Sequence, residues 1–172
     1  MRLVHSEKLI SSKFSVSPLA MENRESSQFH SLSVCLKLLL ENNELLQGIV
    51  DTTVAVGVNQ LQNGFAFVSN SGTQAEKDFS HDFPFNSIAI AIRSLLEQRP
   101  NFRLFVFDLG ENHATGTQSI FYSDPNVLTV SFHRNQGSLE RTEEIGRGTG
   151  LGYNLNVPLP ENLSDDDMKV VA

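Results

Sequence analysis

Residues 29–47 (FHSLSVCLKLLLENNELLQ) place apolar side chains at positions 29, 32, 35, 36, 39, 40 and 46. That is helical spacing with one core-facing stripe, and Gly48 is a natural stop. Residues 63–69 (NGFAFVS) predict a strand opened by an Asn-Gly turn. Residues 86–99 (NSIAIAIRSLLEQR) predict a second helix, capped by Asn86 or Ser87 and ended by Pro100. Residues 103–109 (RLFVFDL) are apolar at nearly every position, and 127–133 (VLTVSFH) repeat the pattern. Strands without alternation are expected to be buried on both faces, as in a parallel sheet covered by helices. The order strand, helix, strand, short helix, strand predicts an α/β domain layered on a parallel sheet.

The two ends of the chain read differently from its middle. Residues 1–28 form a Ser-rich segment expected to be partly mobile, set apart from a single α/β domain over 29–172. Ser164 is a good N-cap, and Asp165 to Asp167 suit a first helical turn. So short a helix is marginal alone. It reads as an element that begins and is cut off, so the fold is expected to be incomplete at the C-terminus.

Composition narrows the classes. The 172 residues are 40% hydrophobic, and the mean hydropathy is −0.17, as for a soluble domain with a real core. A net charge of −7 leaves no basic footprint for nucleic acid. No apolar run approaches the ~18 residues of a membrane span. A single cysteine, Cys35, excludes an intrachain disulfide and reads as a small thiol within an apolar stripe. An intracellular location, cytoplasmic or nuclear, is therefore expected. The Ser-rich N-terminus lacks the apolar stretch of a secretory signal, and Glu7, Glu22 and Glu25 weaken an organelle transit reading.

Candidate chemistry gathers in LFVFDLGENHATGTQ, residues 104–118, where a buried strand runs into Asp108, Glu111 and His113. Ligands of α/β sheets bind beyond the carboxyl ends of strands, so the place is right. If the extended geometry persists, the face of Asp108 carries Gly110 and Asn112, and the other carries Glu111 and His113. Glycine has no ligand atom, and asparagine is a poor zinc ligand. Glu111 and His113 can touch a metal, but two ligands do not complete a site; the competing reading is a polar pair at a strand end. His133 ends the next strand and reads first as a hydrogen-bonded buried histidine. GRGTGLG at 146–152 lacks the Lys-Ser/Thr of a phosphate loop and the dinucleotide spacing. Its glycines read instead as backbone passing close to backbone.

These residues resemble a family. FDLGENHATGTQSIFYSDPNVLTVSFHR is similar to the D-x-D-x-H-H-G-N-G-T-Q…V-L-x-x-S-x-H core of the zinc-dependent histone deacetylase and acetylpolyamine amidohydrolase superfamily. EIGRGTGLGYNLNVPLP resembles its E-x-G-x-G-x-G-x-G-x-N-x-N-x-P-L segment. NGFAFVSNSGTQAEKDFSHDFPFNSIAIAI resembles its N-G-F-A-x-x-R-P-P-G-H-H-A…G-F-C-x-F-N-N-x-A-I-A stretch, and SPLAMENR a worn H-P-E-x-P-x-R. The resemblance implies a deacetylase/arginase-like parallel-sheet fold and zinc-dependent amide hydrolysis.

The departures carry the expectation. The aspartate and histidine that bind zinc in the family are Gly110 and Asn112 here, and the paired histidines of P-G-H-H-A are Thr73 and Gln74. The arginine of R-P-P-G is Ser69. A third zinc ligand and the transition-state tyrosine lie further along in relatives. The resemblance thus implies a degenerate, truncated member that lost its zinc ligands and general base. It would act, if at all, by binding a protein partner, for which a full-length deacetylase is one candidate; nucleic acid and membrane are not expected partners. Zinc is not expected. Potassium is a candidate at the matching positions Asp108, Gly110, Asn112, Ser131 and Phe132, where relatives use mostly backbone carbonyls. The alternative is a zinc-dependent deacetylase with a rearranged site drawing on His81, Asp82, Glu111, His113 and His133.

Overall fold

The computed structural model describes residues 4, 48–68, 71–78, 85–135 and 139–171. Two compact units divide the chain, Met1–Pro100 and Asn101–Ala172. The predicted helix over 29–47 lies outside the described residues, as do all of residues 1–28 but Val4.

In the first unit, Gly48 is itself helical, and the helix runs over 48–57. Whether the helix expected over 29–47 stops at Gly48 lies outside the described residues. The packing contact is Gly57, where a Cβ would come within 2.5 Å of Leu95 Cδ1. Leu95 belongs to α1 (Ser87–Gln98), whose cap is as expected: Asn86 Oδ1 accepts from Ala89 N–H at 2.9 Å. Its inner stripe is Ala89, Ile90, Ile92 and Leu95.

The strand predicted at 63–69 does not form over 63–68, which is irregular. A strand needs a neighbour for its backbone groups. This segment instead lies on helix 48–57, where Gly64 packs against the Thr52 and Val56 side chains. Phe65 and Phe67 point outward, their rings in an edge contact at 4.7 Å.

The second unit holds a three-stranded parallel sheet, β1 (Leu104–Leu109), β2 (Val127–Arg134) and β3 (Asn154–Leu159), in that order. Parallel neighbours require a crossover, and α2 (Thr115–Phe121) lies within the β1–β2 connection. Two short 3-10 turns, Leu139–Glu143 and Gly148–Gly150, punctuate the path to β3. The reading of GRGTGLG as close backbone passage holds at Gly146 and Gly150. A Cβ on Gly146 would collide with the Gly150 carbonyl, and one on Gly150 would lie 2.7 Å from Asp124 N. α3 (Asp165–Val171) starts at Ser164, whose Oγ accepts the Asp167 N–H at 3.2 Å while the Asp167 carboxylate accepts from Ser164.

Register sorts the sheet into two unlike faces. Val106, Asp108, Thr129, Ser131, His133, Asn154 and Asn156 share one, and it turns polar toward the strand ends. Phe105, Phe107, Leu109, Leu128, Val130, Phe132, Leu155, Val157 and Leu159 share the other. Burial of β1 on both faces was expected and is not found: Phe105, Phe107 and Leu109 are exposed. An apolar run fixes which side chains dislike water, not whether a layer covers them.

Candidate functional site

β1 ends at Leu109, one residue before Gly110. The backbone stays beside β2 for two residues more. Gly110 N–H donates to Phe132 O at 3.0 Å, and Arg134 N–H donates to Glu111 O at 3.1 Å. The chain then turns inward, and Ala114 N–H donates to Ser131 Oγ at 3.3 Å. Because extended geometry stops there, the expected alternation fails beyond Leu109. His113 joins the face of Asp108 and Ser131 rather than the opposite one. Its ring stacks on His133 at 4.5 Å with a 24° tilt.

His113 is buried and every polar atom of its ring is engaged. Nε2 donates to Gln118 Oε1 and Asn156 Oδ1, each at 3.0 Å. Nδ1 faces a donor, the Arg141 guanidinium, at 2.9 Å. Two acceptors on one nitrogen and a cationic donor on the other fix the neutral Nε2–H tautomer. Burial lowers the His113 pKa from its ordinary value, and the charges of His133 and Arg141 push the same way. Burial likewise lowers that of His133, against a hydrogen bond to Ser131, with Arg141 adding to the depression. Ser131 Oγ sits 3.1 Å from His133 Nδ1.

Gln118 on α2 ties this pair to β3. Its Oε1 also accepts from Asn154 Nδ2 at 3.0 Å and Asn156 Nδ2 at 2.8 Å, and its Nε2 donates to Glu144 at 2.6 Å. Asn156 donates as well to Arg141 O, and Thr129 Oγ1 donates to Asn154 Oδ1 at 2.6 Å. Between these groups, Asp108 and Val106 lies a cavity of about 10 Å³, the room of one water. Sequence reading singled out His113, Ser131 and His133 but missed Gln118, Arg141, Glu144, Asn154 and Asn156. The usable signal was Asn-x-Asn at 154–156, which on a strand puts both amides on one face.

The remaining predicted positions are dispersed. Glu111 forms an exposed ion pair with Arg134 at 2.9 Å, while its proposed companion His113 is held in the buried network. Thr73 and Gln74 occupy the middle of a turn in the first unit, closed by Ala75 N–H donating to Gly72 O at 2.9 Å. Gly72 has φ +69°, and a Cβ there would collide with the Phe85 carbonyl. His81 and Asp82 lie outside the described residues. Among the described residues, no three His, Cys, Asp or Glu side chains converge as a metal would require. Gly110 offers no side-chain donor and Asn112 only a neutral amide, so these residues do not fit the tight four-coordinate zinc of an amidohydrolase. No helix among the described residues is long and apolar enough to cross a membrane.

Comparison with known proteins places this geometry. Human histone deacetylase 7 is 38% identical over 116 residues, and human histone deacetylase 9 is 36% identical over 115. Histone deacetylase clr3 of Schizosaccharomyces pombe is 36% identical over 119. Each alignment covers 63% of this chain but only 12%, 11% and 17% of those proteins. Among solved structures, the acetylpolyamine aminohydrolase of Burkholderia pseudomallei superposes with a TM-score of 0.63 at 29% identity. It covers 73% of this chain and 37% of that one. The HDA15 HD domain gives 0.58 at 29%, covering 64% and 33%. The histone deacetylase domain profile matches residues 1–172. The α/β parallel sheet is thus that of the deacetylase and acetylpolyamine amidohydrolase superfamily, and the chain belongs to the histone deacetylase domain family.

Proposed function

We propose that this chain is a histone deacetylase-like protein without the zinc hydrolase chemistry of its family, acting through association rather than turnover. The observation that carries the reading is the donor set at the end of β1: Gly110 and Asn112 stand at the two zinc-ligand positions. Hydrolysis by the family's route needs a metal to acidify water and polarise the carbonyl. It also needs a base in reach of that water, worth roughly 10²–10⁴-fold. Thr73 and Gln74 supply none. His113, the nearest imidazole in sequence, has Nδ1 turned to Arg141 and Nε2 to two amides. The test is acetyl-lysine amide turnover by purified protein with added zinc. Background rates are expected; chelator-sensitive turnover well above background restores the rearranged-site deacetylase.

The same proposal includes a potassium ion at this strand end. A hard monovalent cation takes oxygen donors, and the Asp108 carboxylate and Asn112 carbonyl both lie within 4 Å of where a Gly110 Cβ would stand. Asp108, Gly110, Asn112, Ser131 and Phe132 would hold it, largely through main-chain oxygens, and its role would be to brace the strand ends. Thermal stabilisation by potassium but not by tetramethylammonium is the expected result; equal responses to the two would remove the site.

A further inference from the structure

We infer that Asn63 is a site of spontaneous covalent modification, where its side chain cyclises onto the Gly64 nitrogen and reopens as isoaspartate or aspartate. The Asn-Gly pair expected to open a strand opens none, since 63–68 is irregular. Asn63 and Gly64 are both exposed. Among the described residues, nothing accepts a hydrogen bond from the Gly64 N–H and nothing holds the Asn63 amide. Of the asparagines in the chain, Asn63 alone precedes glycine. Glycine has no Cβ to crowd the approach of its nitrogen to the neighbouring side chain. Asparagine is a thermolabile residue, and this cyclisation is one cause. Asn86, in the same unit, shows the opposite arrangement. It precedes Ser87 and is fully buried. Its Oδ1 accepts from Ala89 N–H at 2.9 Å, and its Nδ2 donates to Ala75 O at 3.5 Å. The Ser87 N–H donates to Ser71 O at 3.0 Å, so electrophile and nucleophile are both held.

The step balances with water as its co-reactant. Loss of the Gly64 N–H proton to a base in solvent lets that nitrogen attack Asn63 Cγ. The N–Cγ bond forms, the Cγ–Nδ2 bond breaks, and the leaving nitrogen takes up a proton and departs as ammonia. Water then opens the succinimide ring. Opening at the Cγ carbonyl gives aspartate; opening at the main-chain carbonyl leaves the peptide running through Cγ, as isoaspartate. Either product adds a carboxylate to a chain already at −7. Isoaspartate also adds a carbon to the main chain beside Gly64, where a Cβ would stand 2.3 Å from Thr52 Cγ2 and 3.3 Å from Val56 Cγ2. With no slack against those side chains, the segment must shift on the helix over 48–57. The proposal stands independently of the metal reading.

Peptide mapping of the full chain, aged for days in mildly alkaline buffer, tests it. A purified isoaspartyl carboxyl methyltransferase with a labelled methyl donor counts the isoaspartate formed. Conversion is expected at Asn63, at least about tenfold faster than at Asn86, a difference of about 1.4 kcal/mol in barrier. Because the fold holds neither reacting group, the Asn63 rate should stay within about tenfold of its rate in urea. Asn63→Gln, whose longer side chain must close a larger and slower ring, should remove most of the methyl label. An Asn63 that keeps its amide, one that converts no faster than Asn86, or one that folding slows by more than about tenfold overturns the proposal. So does methyl label that survives Asn63→Gln.

Discussion

Replacing Gln118 with leucine would remove the junction of the buried network while nearly preserving shape. One oxygen, Oε1, accepts from His113 Nε2, Asn154 Nδ2 and Asn156 Nδ2, and the amide nitrogen donates to Glu144. Each donor left unsatisfied in a buried site costs about 1–3 kcal/mol. Asn156 and Asn154 keep second acceptors, Arg141 O and Glu144 O, and His113 keeps Asn156 Oδ1. The losses are therefore partial and share partners, so they do not add. The expected destabilisation is about 2–4 kcal/mol. Urea unfolding should show a lower midpoint with an unchanged slope, the signature of lost stability without altered compactness. Gln118→Glu supplies the complementary measurement: a carboxylate against Nε2 favours the imidazolium, so the His113 pKa should rise in NMR titration. A Gln118→Leu effect under about 0.5 kcal/mol, within the range of ordinary surface substitutions, would refute the network as a structural junction.

Two further outcomes follow from the same physics. His113 and His133 titrate below their ordinary 6.5 when folded, so the unfolded chain binds the extra protons. Stability should be fully present above about 6.5 and fall as pH drops below it; His113→Gln should flatten that slope in urea titrations at several pH values. Gly72→Ala should destabilise the first unit by about 2–4 kcal/mol, read by thermal unfolding, because φ +69° and the Phe85 carbonyl both exclude a side chain.

Elements with local signals were legible in the sequence. α1 carried its stripe, cap and terminating proline; β1 and β2 carried apolar runs; α3 carried a serine and three acidic residues. β3 was hidden because Asn154, Asn156 and Pro158 are poor strand formers. It sits at the sheet edge, where a proline is tolerated. The irregular 63–68 was misread for a related reason: whether GFAF becomes a strand depends on neighbours distant in sequence. The site followed the same division. His113 and His133 announced themselves as titratable groups at strand ends. The amides that orient them come from positions up to 43 residues away, and no periodicity marks that pairing.

The central proposal is that this strand end of a deacetylase-family chain, with Gly110 and Asn112 where the resemblance puts zinc ligands, does not hold zinc. Its most direct test is the metal content of the purified chain after zinc loading and dialysis, measured on the sample assayed for acetyl-lysine turnover. The account predicts far less than one zinc per chain and no turnover that a chelator removes. One tightly held zinc per chain, with turnover that vanishes on chelation, would contradict it.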